Sequence, residues 1–545
     1  MSEDYITAAD RQLQRAYEGP MGLDEYVEAA FQSPSIAAHA SRYLLAAIES
    51  MGTRTVIEEG EKRDRYRFFD DPHNDGEHAV LGNTAVLNAF VDDLRTIAAN
   101  RGKGEKIIWF DGPTATGKSE LKRCLVNGLR EYSKTPEGRR YTLEWNITGA
   151  DSSRGLSYGE DASDDDQWYE SPVQVHPLAI FPKNVREDLL ARLNDRDSEG
   201  PPIVVDSELD PFSREAYDYL ESRYREAGTR KLFSSITDES HLRVTNYIVD
   251  VGRGIGILHS EDDGSPKERL VGSWMPGMLR ELDSRGRKNP QAFSYDGVLS
   301  QGNGLITIVE DASQHADLLR KLLNVPDEGR VKLDKGIGMD IDTQLVMISN
   351  PDLDAELDQY ADRNGRDPLK ALKRRLDRHE FRYLTNRRLE AELIRRELTA
   401  EKSVWADLDD EEIETRVRAP LSITIRDGRG ETRERELAPF AVGAAAMYSV
   451  VSRLDGEELP SELSLIEKAR LFEQGYLQDG DNRRDIEEFD ITVDADGIHG
   501  IPVTYTRDII ADLLHEETGR GHPDHPVEDV VMPADVLNAM AEELS

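Results

Sequence analysis

The chain has 545 residues, of which 107 are acidic and 68 basic, for a formal charge of −39. A surface this anionic repels phosphate backbones and acidic lipid headgroups, so the expectation is no nucleic-acid partner and no membrane partner. No apolar run reaches the ~18 residues needed to span a bilayer. The start MSEDYITAAD lacks the charged-then-apolar layout of a leader peptide, and the one cysteine, Cys124, cannot close an internal disulfide. The expected setting is therefore cytoplasmic. The basic residues are 17 Lys and 51 Arg, and with so many carboxylates this composition predicts a salt-adapted, halophilic surface whose self-repulsion needs screening.

In chain order, residues 23–51 place apolar side chains three and four apart on either side of Pro34, which predicts two short amphipathic helices. They mark an N-terminal helical region over residues 1–78, closed by the turn-rich FFDDPHNDGEH. A helical pattern from Ala79 to Ala99 then leads into KIIWF, whose β-branched and aromatic content predicts a buried strand. Beyond it, the stretch 149–168 is rich in Gly, Ser and Asp and is predicted to be a loop insertion. VTNYIVDV, LITIV and QLVMIS are further strand candidates, alternating with helical patterns. That alternation predicts an α/β core with a mostly parallel sheet over residues 79–386. Residues 387–545 read as helical except for a β-hairpin at 421–438, turning at Asp427-Gly428.

The strand KIIWF is followed by Gly112-Pro113-Thr114-Ala115-Thr116-Gly117-Lys118-Ser119, which fits the phosphate-loop pattern with the strand before it and the helix after it that the pattern requires. Small residues let backbone amides wrap the phosphates of a nucleotide such as ATP, and the helix N-terminus adds partial positive charge. Lys118 is expected on the β- and γ-phosphates and the Ser119 hydroxyl on Mg²⁺. Leu121, Cys124, Leu125 and Leu129 form the apolar face of that helix, so Cys124 is read as a packing residue.

Such a loop needs an acid at a neighbouring strand end to hold the metal and another group to polarise water. Glu310 and Asp311, directly after LITIV, are the candidates, Glu310 for the metal and Asp311 for water. Asn350 ends the strand QLVMIS and is a candidate to orient water, although Asn-Pro also simply terminates strands. Arg374, Arg375 and Arg378 lie on a predicted helix, where a guanidinium suits a transition-state phosphate but also suits pairing with surface carboxylates. Three other signals are set aside. VGRGIGI precedes a loop and reads as a turn; His515, His522 and His525 lack metal-site spacing; Asp490, Asp494 and Asp496 lack the acid that would complete a calcium loop and read as surface charge.

The whole arrangement resembles the PrkA family, AAA+ proteins described as serine protein kinases. The block from VGRGIGILHSEDDG through FSYDGVLSQGNGLITIVED is similar to that family's run between the phosphate loop and the acidic strand. LVMISNPD resembles its first sensor, LDRHEF its arginine-finger region, AAAMYSVVSRL and IEKARLFE its helical lid, and GIPVTYTRDIIADLL its second sensor. The resemblance implies an AAA+ P-loop core with a C-terminal helical lid and ATP with Mg²⁺ as cofactors. It implies roles for Lys118, Ser119, Glu310 and Asp311 on the nucleotide and metal, Asn350 as sensor, Arg378 as finger and Arg507 as second sensor. A finger acts on a neighbouring copy, so a homo-oligomeric ring is implied. The implied activity is a serine/threonine kinase acting on cytosolic proteins in stress or nutrient response. The alternatives are a ring-forming mechanical ATPase that remodels or helps degrade a client protein, and a nucleotide-switched scaffold. Family members usually continue past the point matching MPADVLNAMAEELS, so a short or truncated form is expected. The chain has no eukaryotic-type kinase motif set.

Overall fold

A computed structural model describes residues 5–99, 106–146, 168–197, 200–259, 269–274, 293–312, 318–319, 322, 325–326, 329–332, 338–351, 370–399, 402, 405–426, 432–457, 459–480, 482–515 and 529–543. The chain forms two compact units that interleave in sequence. The first is Met1–Ala47, Phe90–Trp109 and Gly128–Arg378; the second is Ile48–Ala89, Phe110–Asn127 and His379–Ser545. The predicted insertion at 149–168 lies outside the described residues except for Trp168, as do His522, His525 and the hairpin turn at Asp427-Gly428.

The first unit is organised by a six-stranded sheet. Its strands are β1 (Ile107–Asp111), β2 (Asp250–Val251), β3 (Gly254–Leu258), β4 (Ile306–Val309), β5 (Gln344–Ile348) and β6 (Leu376–Glu380), in the order β6-β1-β5-β4-β3-β2. β4 pairs in parallel with β5, from Ile306 opposite Gln344 to Val309 opposite Met347, and with β3, from Ile306 opposite Ile255 to Val309 opposite Leu258. Every residue of β1, β4 and β5 is buried, the pattern of strands covered on both faces. Ile107, Trp109, Leu258, Val309, Leu345 and Met347 share one core. The glycines of VGRGIGI have two different causes. Gly252 and Gly254 take φ of +89° and +87° in the turn before β3, whereas a Cβ on Gly256 would stand 1.9 Å from the Val298 carbonyl oxygen.

VTNYIVDV departs from the expectation of one parallel sheet. Leu242–Tyr247 belongs to a separate antiparallel sheet with Arg140–Asn146 and Trp168–Glu170. The N-terminal helix Leu23–Gln32 contributes Leu23, Tyr26 and Ala30 to the core beneath that sheet, beside Trp145 and Leu143. Arg140, 4% exposed, donates to the carbonyls of Ala38 and Gly304 and lies over the Tyr43 ring.

Two histidines flank this arginine. The ring of His176 accepts from the Leu178 amide through Nδ1, while its Nε2 and Nδ1 of His39 are shut off from solvent. His39 faces Asp342, Arg42, Arg140 and the Ala98 backbone; His176 faces Arg140, Arg186, His39 and the Ala37 backbone. Burial, reinforced by the guanidiniums, lowers both from the ordinary imidazole value, His176 to about 3. The unfolded chain therefore takes up protons near pH 6.5 that the folded chain refuses, so stability falls as pH drops from there toward 3. The loss expected from His176 at pH 5 is about 1–2 kcal/mol. Urea midpoints at pH 8 and pH 5 measure it, and His176→Gln should shrink the difference; an undiminished difference removes His176 from the account.

In the second unit, a hairpin of Thr53–Glu58 and Glu61–Tyr66 interrupts the region expected to be helical. Glu59 and Gly60 turn it with φ of +52° and +77°, the positive values that match the twist of a two-residue hairpin. The predicted hairpin at 421–438 is present as Leu421–Arg426 against Thr432–Leu437, and Asp529–Val531 adds a parallel third strand that the sequence reading did not anticipate. Helices α1 (Lys118–Tyr132, whose first ten residues belong here), α2 (Arg387–Thr399), α3 (Ala441–Val451) and α4 (Val503–His515) belong to this unit. Ala391, Ile394, Val442, Ala446 and Ile510 share its core. Within that core Arg453 and Glu390, 1% and 0% exposed, form two 2.7 Å bonds. Asp496, expected on the surface, is instead 1% exposed and accepts from Lys468 Nζ at 3.0 Å through Oδ1; the ammonium offsets the cost of burying the carboxylate.

Candidate functional site

The loop after β1 lies in the second unit, where its shape follows from three backbone positions. Gly112, Ala115 and Gly117 have φ of +147°, +63° and +98°. Such left-handed residues turn successive amides toward one point, the arrangement that receives an anion. Gly112 is also required by space, because a Cβ there would stand 2.3 Å from the Phe381 carbonyl oxygen. The two segments are tied at that point by Phe381 N donating to Asp111 O at 2.7 Å. Thr116 Oγ1 closes the loop onto Pro113 O at 2.8 Å.

Lys118, 7% exposed, folds back over the loop, its Nζ donating at 2.6 Å to the carbonyls of Gly112 and of Pro113 and at 3.4 Å to Thr116 Oγ1. The ammonium is thus held against the backbone of its own loop. Ser119 is exposed in the first turn of α1. Leu121, Cys124, Leu125 and Leu129 are buried, as the spacing predicted. Cys124 donates to Phe68 O at 3.2 Å, and burial pushes its thiol well above the ordinary range, which suits packing rather than nucleophilic chemistry.

Arg507 is in the same unit, on α4. It bonds Glu397 of α2 at 2.9 Å and its neighbour Asp508 at 2.8 Å.

The acidic candidates belong to the first unit. Parallel register brings Glu310, after β4, and Asn350, shortly after β5, to the same ends of adjacent strands. Glu310 N donates to Leu258 O at 3.0 Å. Asp311 is left-handed at φ +44°, a conformation that costs a non-glycine residue of order 1 kcal/mol. Ser349, just before Asn350, accepts from Trp109 Nε1 at 2.7 Å and fixes the end of β5 against β1.

His259 was missed from sequence. Its Nδ1 lies 2.8 Å from Glu310 Oε2. The contact follows from the pairing of Leu258 with Val309, which sets the next residue of each strand side by side, and parallel register is not written in either segment alone. Arg378 lies on β6 and not on the helix predicted for it, which ends at Arg375. It is exposed, with its guanidinium 5.2 Å from the centre of the Trp109 ring.

Comparison with known proteins adds a family to this geometry. A family model described as the PrkA AAA domain matches residues 21–366. The ATP-dependent protease PrkA of Bacillus subtilis (strain 168) is 24% identical over 501 residues, which cover 90% of this chain and 63% of that protein. The chain thus spans 63% of the length of that curated relative. Crystal structures of NtrX from Brucella abortus are similar at 10% identity, one with a TM-score of 0.23 over 57% of this chain and 43% of that one, and one in complex with ATP with 0.25 over 72% and 59%. Scores this low carry no argument about this chain.

Proposed function

Because the chain belongs to the PrkA AAA-domain family, we propose that it hydrolyses ATP and spends the free energy on a protein client. The observation that carries this reading is the loop itself, three left-handed positions curled round a buried lysine. Lys118 and the amides of residues 112–119 bind and orient the β- and γ-phosphates, a role in which positioning and charge do nearly all the work. By the family resemblance Ser119 and Glu310 are each residues that would hold Mg²⁺, and the metal would supply charge neutralisation at the phosphate oxygens. Asp311 polarises the attacking water and Asn350 orients it. Arg378 serves as a finger toward a neighbouring copy in a homo-oligomeric ring, and Arg507 senses the nucleotide from the lid.

Water is the favoured acceptor of the γ-phosphate. The Bacillus subtilis relative is named an ATP-dependent protease, which fits turnover coupled to handling of a client. The serine/threonine kinase reading, with a cytosolic protein as substrate, rests on the family description alone. Incubation with γ-labelled ATP, Mg²⁺ and a general protein substrate separates them, with Lys118→Ala as control. The expected result is free labelled phosphate and no labelled protein. Labelled serine or threonine that disappears in the control would overturn this in favour of the kinase.

A further inference from the structure

The second unit contains a cavity of 320 Å³ between the Thr53–Tyr66 hairpin and the start of α2, with no residue of the phosphate loop in its wall. Its volume is within the range of small-molecule sites. Leu389, Leu408, Ile413 and Trp405 give it an apolar side.

The charged groups of the wall are already matched, with one exception. Arg54 and Arg65 both bond Asp70, at 2.6 and 2.9 Å. Arg388 donates to Asp410 at 2.8 Å and is ion-paired with Glu473, its Nε 3.0 Å from Oε1. Lys62 is exposed to solvent. Of the three buried carboxyls, Glu473 uses both oxygens on arginines, and Glu58 uses both on the amide and hydroxyl of Thr84. Glu392 is different. It is 2% exposed and accepts one bond, from Trp405 N to Oε1 at 3.0 Å, which leaves Oε2 without a hydrogen-bond partner among the described residues. A buried carboxyl with an open oxygen beside a tryptophan selects a cation, since a paired charge and an aromatic face both favour an ammonium there.

We propose that this cavity is a ligand site separate from the nucleotide loop, taking a small apolar molecule with a protonated amine, Glu392 being the counter-ion and Trp405 part of the apolar wall.

Burial is the largest influence on Glu392 and pushes its carboxyl up to about 7, against lowering by the Trp405 amide, Arg396 and Arg54 and with raising by Asp70. The carboxyl therefore exchanges its proton near neutrality, and an incoming ammonium displaces that proton. Affinity for the amine should rise about tenfold from pH 6 to pH 8, following the ionised fraction of one such group.

Calorimetric titration of the full chain with phenethylamine and with 2-phenylethanol tests the proposal. The expected result is that the amine binds at least about tenfold tighter than the alcohol at pH 8, a factor of ten being ~1.4 kcal/mol. Saturating ATP should leave the amine affinity unchanged, and Glu392→Gln should remove both the amine preference and the pH dependence. Equal affinity for amine and alcohol, absence of amine binding, undiminished amine binding in Glu392→Gln, or competition by ATP would each overturn it. The amine-to-alcohol ratio and the pH dependence are read on the unaltered chain, so they stand even if the variant fails to fold.

Discussion

Lys118→Ala is expected to lower ATP turnover at least about a hundredfold and to remove nucleotide-dependent stabilisation, since one preorganised donor to a developing phosphate charge accounts for a factor of that order. In the folded chain the ammonium lies against the carbonyls of Gly112 and Pro113, so the positive charge is part of the loop. Deleting it leaves the amides in place but removes the charge that balances the triphosphate. The unaltered chain at ~100 times the dissociation constant gains about 2.7 kcal/mol from bound nucleotide, enough to raise the midpoint of thermal unfolding by a few degrees. The variant should show no such rise while its unfolding midpoint without nucleotide stays close to that of the parent. Turnover retained within tenfold would remove Lys118 from the chemistry.

Gly112→Ala is expected to destabilise the chain by about 3 kcal/mol or more, because it combines a steric collision with a forbidden backbone angle. The added Cβ meets the Phe381 carbonyl at 2.3 Å, a backbone atom pinned by the bond from Phe381 N to Asp111 O. Relief would have to come from separating the ends of β1 and β6. Gly228 provides the comparison: its φ is +71°, yet nothing stands within 4 Å of the Cβ position. Gly228→Ala should therefore cost only about 1 kcal/mol, the backbone contribution by itself. Urea midpoints of the two variants separate these contributions. Equal midpoints would show that the loop yields at Gly112 without cost, and the close approach to Phe381 would lose its structural meaning.

The parts read correctly from sequence are those written in a contiguous segment. The helix face Leu121, Cys124, Leu125 and Leu129 needed only spacing, because helical periodicity is a local property. The apolar runs of β1, β4 and β5 were recognisable for the same reason, since strands covered on both faces are apolar throughout. The Thr53–Tyr66 hairpin escaped because its Glu-Gly turn carries a weak signal and its strands are largely polar.

The sequence by itself determined the apolar face of α1 and the alternation of strands and helices that makes an α/β core, each through residue type and short-range spacing. Tertiary structure alone decided three other features. Parallel register set His259 beside Glu310, burial paired Asp496 with Lys468, and the approach of α2 to the hairpin left Glu392 with an open oxygen inside a cavity. Each depends on segments far apart in the chain meeting at a distance of a few ångströms. Whether a carboxylate is solvated, paired or waiting for a ligand is set by those neighbours, not by the residues on either side of it.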